Sequence, residues 1–264
     1  MNMMKKYVRG ALAAALVCGA GIFASCTQEK TLAEKLIGKW MVAELDGVPA
    51  PTHLKTVITF ESATKAYGSM ADYSGESWSD RTPADVQISG NKVSMTVRDA
   101  GVITHNLDLT ISTITDKDMR LLSDWSMLVN GAPVYHEAYK EYWVRIDKDF
   151  RKDVVGIWEG GRTSGHSIYG DNEIHRWQFN ADGTFEYYSK VGDSWVPTGD
   201  ILCEYFVDGV LLCCRWQANL GSEEIRDWWE IDIRDGKMFW TALRVDEDGS
   251  TFTSSFEMTK LELK

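Results

Sequence analysis

Proline and cysteine are both scarce in this 264-residue chain, at five each. So few prolines, with 22 glycines, argue against collagen-like and Pro-rich disordered sequences. Cys18 and Cys26 fall in the N-terminal segment, which leaves Cys203, Cys213 and Cys214 for the rest. Three thiols cannot all pair within one chain, so this is not a disulfide scaffold and the core must carry stability. Positive charge is also short: 28 Lys and Arg stand against 39 Asp and Glu, for a formal net charge of −11. A chain this acidic repels phosphate backbones and anionic lipid head groups, which argues against a nucleic-acid partner. No Gly-X-Ser-X-Gly, phosphate-binding loop, dinucleotide fingerprint or Cys-X-X-Cys occurs. No assembled set of catalytic groups can be read, so the expectation is a protein that is not an enzyme and carries no cofactor.

Long apolar runs are missing except at the N-terminus. Lys5, Lys6 and Arg9 precede an apolar run from Ala11 to Phe23, and Ala24-Ser25 then leads into Cys26. That run is too short to span a bilayer and reads as a secretory signal over residues 1–25. Phe23-Ala24-Ser25-Cys26 resembles a bacterial lipobox, which implies cleavage before Cys26 and lipidation of its sulfur. Residues 26–31 would then be a lipidated polar tether. The implied address is the cell envelope, with the lipid in the outer membrane as the membrane anchor.

Aromatics and alternation are abundant: eleven Trp, ten Tyr and nine Phe favour β structure. The chain repeats itself once. Leu36-Ile37-Gly38-Lys39-Trp40 matches Val154-Val155-Gly156-Ile157-Trp158, 118 residues later. Ile58-Thr59-Phe60 matches Trp177-Gln178-Phe179, and Gly75 to Trp78 matches Gly192 to Trp195. The closing segments around Tyr142–Ile146 and Phe256–Leu261 correspond as well. Two units follow, 32–147 and 148–264, joined through the charged stretch 147–153.

Within each unit the hydrophobic period is two, as in Lys92–Val97, Leu107–Ile111 and Trp229–Arg234, so each strand has one buried face. Asp46-Gly47, Asp208-Gly209, Asp235-Gly236 and similar pairs mark tight hairpins. Thr31-Leu32-Ala33-Glu34 has capping-box spacing for one helical turn, and Asp149 or Asp153 could serve likewise before Gly156. The fold class expected is all-β: two tandem antiparallel meander β-barrels, each preceded by a short helical turn.

A helical turn, Gly-X-Trp on the first strand and a β meander resemble the lipocalin-like (calycin-like) barrels. The closest likeness is to lipocalin-like domains in lipoproteins of Gram-negative gut bacteria. That resemblance implies that Trp40 and Trp158 lie across the closed barrel ends, with Arg145 and Lys260 over their rings. It also implies non-catalytic binding of a small, largely apolar molecule. The second unit, richer in rings, is the expected binder, with Tyr205, Trp216 and Trp240 facing inward. A second possibility is a surface interaction module, in which packed barrels present loops to a protein or glycan.

Other candidates carry less. The hairpin Ile201–Val207 and Val210–Trp216, turning at Asp208-Gly209, would set Cys203 opposite Cys214. They could form a cross-strand disulfide or remain two buried thiols. Trp228 and Trp229 are adjacent, so one must face outward to an edge or interface. His166, Glu173 and His175 cluster locally but lack metal-ligand spacing, and no metal is expected. Asp246–Ser250 is a fragment of a calcium loop that reads as a solvated turn.

Overall fold

The computed structural model describes residues 30–71, 78–165 and 173–262. The signal, Cys26 and most of the tether lie outside them, as do His166 and Gly75–Ser77.

The first half opens with α1 (Leu32–Leu36) and β1 (Gly38–Leu45), β2 (Val48–Pro49) and a 3₁₀ turn at Thr52–Leu54. Then come β3 (Val57–Ser62), β4 (Lys65–Ala71), β5 (Trp78–Ser89), β6 (Lys92–Asp99), β7 (Val102–Ile114), β8 (Asp118–Val129) and β9 (Ala132–Ile146). β9 pairs back onto β1, so eight antiparallel strands close into a barrel with β2 as a flap on its edge. Closure leaves no edge strand exposed in the barrel wall. The capping box forms: Thr31 Oγ1 accepts from the Glu34 N–H, and the Glu34 carboxylate accepts from the Thr31 N–H at 2.7 Å.

The second half comprises β10 (Gly156–Ser164), β11 (Ile174–Phe179), β12 (Phe185–Val191), β13 (Ser194–Pro197), β14 (Leu202–Asp208), β15 (Leu211–Gln217), β16 (Ile225–Arg234), β17 (Lys237–Val245) and β18 (Thr251–Leu261). They form one curled sheet in the order β13-β12-β11-β10-β18-β17-β16-β15-β14. Its ends nearly meet: Thr184 bridges to Glu204, and the Tyr205 N–H donates to the Gly183 carbonyl at 2.8 Å. An eight-stranded closed barrel plus a second curled sheet is consistent with two tandem lipocalin-like barrels. No helix separates them. The Phe150–Val154 segment makes a single turn, closed by the Val154 N–H on the Phe150 carbonyl, and Asp149 caps it from the Arg151 N–H.

Both halves are plugged in the same way. Trp40 pairs across the ladder with Ile58 and Arg145, and Trp158 with Trp177 and Lys260. Each indole N–H donates at 2.7 Å to a carbonyl four residues back, Leu36 or Val154. The Arg145 guanidinium lies 4.2 Å from the Trp40 ring centre, and the Lys260 ammonium 5.1 Å from that of Trp158. Gly38 and Gly156 have φ of +123° and +133°, and a Cβ on either would strike the Arg145 or Lys260 side chain. Their positive φ favours glycine at both, and an added Cβ would also push the covering side chain aside.

One correction concerns the β14–β15 hairpin. The turn is Gly209-Val210, not Asp208-Gly209, because Asp208 stays in the strand and takes the Lys39 ammonium at 2.5 Å. Gly209, at φ +66°, supplies the first central residue of the turn. The ladder therefore sets Cys203 opposite Trp216 and Tyr205 opposite Cys214. Cys203 and Cys214 sit diagonally, about 7–8 Å apart, beyond disulfide reach, and both are free thiols.

Candidate functional site

The two halves differ most in what fills them. Inside the second sheet, rings pack on rings. Trp240 lies 5.1 Å from Trp177, 5.3 Å from Trp229 and 6.0 Å from Phe256 between ring centres. Tyr205 stands edge-on to Phe179 at 4.9 Å and donates to the Asn180 carbonyl at 2.6 Å. Trp216 packs half-buried against the same core. Tyr205, Trp216 and Trp240 are therefore core residues of a filled interior and do not border the cavity described next. Tyr205 also edges a wide hollow of about 880 Å³ of mixed lining between the two halves, beside Trp78, Arg151 and Asp182. His175 belongs to the ring stack too: it lies 5.3 Å from Trp177, and its Nδ1 is 2.8 Å from the Tyr187 hydroxyl. Burial lowers its pKa. Among the described residues no group of three or more His, Cys, Asp or Glu is arranged to hold a metal.

The first barrel holds a cavity of about 340 Å³. That is at the small end of the range for small-molecule sites. Its apolar wall comes from inward positions of successive strands: Val42 on β1, Ile58 on β3, Ala84 on β5, Met95 and Val97 on β6, Leu107 on β7 and Trp143 on β9. Small side chains leave the room. Gly68 shares the inward face with its ladder partners Ile58 and Thr82, and a Cβ there would meet nothing within 4 Å. The ladders make the contrast direct: the first barrel places Ile58 opposite Trp40, and the second sheet places Trp177 opposite Trp158.

One end of the cavity is polar. Glu137, Tyr139, Glu141 and Trp143 alternate along β9 and point inward, facing Ser123 and Trp125 of β8 and His105 of β7. The Glu141 carboxylate accepts from the Ser123 hydroxyl on one oxygen and from the Trp143 indole N–H on the other. Burial pushes the Glu141 carboxyl above the ordinary carboxylate range, against these two hydrogen bonds that favour its charged form. His105 stacks on Trp125 with ring centres 5.7 Å apart. Sequence reasoning missed Glu141 because β9 is rich in charged residues throughout. The signal was the period of two counted back from Trp143.

The second half covers one side of the cavity. Phe206, Leu211, Cys213 and Trp228, on the outward face of its sheet, border it beside the His53–Thr56 segment. These residues form a third apolar cluster with Met41 and Val57 from outside the first barrel. Trp228 is the outward partner of the Trp228-Trp229 pair and is 2% exposed. Ion pairs stitch the seam: Lys39 to Asp208 at 2.5 Å and Asp149 at 2.9 Å, and Lys55 to Glu230 at 2.6 Å. The Leu243 N–H donates to Thr52 Oγ1 at 2.8 Å.

A closed, plugged barrel with an internal cavity is the architecture that these features define. Residues 36–121, from the end of α1 into β8, match the family model of the lipocalin-like domain. That family consists typically of non-enzymatic binding proteins, and its fold suits small ligands in general. No curated protein matches the chain. No helix among the described residues is long and apolar enough to cross a membrane.

Proposed function

We propose that this chain is a lipid-anchored cell-envelope protein of two tandem lipocalin-like barrels, whose first barrel binds a small, largely apolar molecule without transforming it. The cavity of about 340 Å³ is the observation that carries this reading. Its walls are mainly apolar, with a few polar groups at one end, which suits a small apolar guest. The second half acts as a filled companion whose outer face completes the cavity wall. The anchor rests on the lipobox-like Phe23-Ala24-Ser25-Cys26.

Titration of the full-length protein with N-phenylnaphthylamine, a neutral apolar dye, tests the binding function. One saturable site with enhanced dye emission is expected, and displacement by short-chain alcohols should follow. Absence of any saturable site contradicts the proposal. Mass spectrometry of membrane-extracted protein tests the anchor. An acylated Cys26 at the mature N-terminus is expected, and an unmodified N-terminus at another residue rules it out.

A further inference from the structure

We infer that the ligand of the first barrel is an amine: an apolar body carrying one cationic or hydrogen-bond-donating nitrogen, held at the Glu141 carboxylate. This rests on the reading of the first barrel as a ligand site. Glu141 points into a cavity whose other walls are mainly apolar, and it has two partners, the Ser123 hydroxyl and the Trp143 indole N–H. An ionised carboxylate offers about four lone-pair directions, so two remain for a ligand. A buried carboxylate without a counter-charge is costly, and a donor brought by the ligand removes that cost.

Other charges around the cavity point the same way. Glu137 is a second inward carboxylate on the same strand. The one lysine among the described lining residues, Lys55, is 2.6 Å from Glu230 and is neutralised by it. No arginine lines the cavity among the described residues. Burial lowers the pKa of His53, so it is a poor cation for an anionic ligand. A fatty carboxylate would set like charges together, whereas an ammonium would meet Glu141 with its chain along Ile58, Met95 and Leu107.

The test is a calorimetric series on the full-length protein at neutral pH with octylamine, octanol and octanoate. Octylamine should bind about tenfold more tightly than octanol, the size of one charge-assisted hydrogen bond, with octanoate weakest. In Glu141→Gln the amine should lose its advantage over the alcohol. Octanoate binding as well as octylamine, in the unaltered protein, overturns the inference while leaving a ligand site in place. An amine preference that persists in Glu141→Gln removes Glu141 from it. If none of the three binds, the ligand-site reading itself fails.

Discussion

Arg145 does more than cover a ring. Besides lying over Trp40, its guanidinium donates to the Asp116 carbonyl at 2.7 Å and to the Lys35 and Ile37 carbonyls at 2.6 Å each. It therefore caps the end of α1, the start of β1 and the β7–β8 turn at once. Arg145→Ala should lower unfolding free energy by about 2–4 kcal/mol in urea titrations, from lost charged hydrogen bonds and the cation–π contact. Glu141 behaves oppositely. Because burial raises its folded pKa above the unfolded value, folding favours the protonated carboxyl. That contribution is complete below the unfolded pKa of about 4.3 and is lost as pH rises through the raised folded value. Thermal melts from acid to neutral pH should show the unaltered protein falling in stability relative to Glu141→Gln as pH rises. A constant gap would contradict the assigned environment. The Trp40–Arg145 pair was expected from the family resemblance alone, and the guanidinium lies 4.2 Å from the Trp40 ring centre. Glu141 was not, since a carboxylate facing a cavity and one facing water look alike in a polar strand.

At the scale of elements, the hairpins were read well where the turn residue alone decides. Asp46-Gly47 and Asp235-Gly236 both take positive φ at both positions, as tight turns require. The β14–β15 hairpin was misplaced by a tertiary contact, the Lys39–Asp208 ion pair, which holds Asp208 in the strand. The shift changed which residues face each other but preserved parity. Tyr205, Val207, Leu212 and Cys214 still point inward, while Cys213 points outward into the seam. Pairing partners were thus lost to the sequence, and faces were kept. Gly209 sits where this turn meets the first barrel, with a Cβ position 3.0 Å from Lys39 Cδ and 3.1 Å from Ile146 Cγ2. Gly209→Ala should destabilise the fold by about 1–2 kcal/mol in chemical denaturation, from strained φ and crowding together.

For the whole molecule, near-equal lengths gave unequal interiors. Chain length and the repeat were enough to expect two β units, but cavity volume depends on inward side chains from strands far apart in sequence. Rings at Trp177, Trp229, Trp240 and Phe256 fill the second sheet, while Gly68, Ala84 and Ser123 hollow the first. Counting aromatics pointed to the second half, where the rings pack on one another, whereas the cavity of about 340 Å³ lies in the first. The halves are coupled through Trp228, so Trp228→Ala should cost about 3–5 kcal/mol and weaken dye binding, read by urea unfolding and dye titration. The most direct measurement is N-phenylnaphthylamine binding to Gly68→Leu, which grows a side chain into the open space at Gly68. Dye binding should be lost while the melting temperature holds or rises. Undiminished binding in a folded Gly68→Leu protein would contradict the first-barrel cavity as the ligand site.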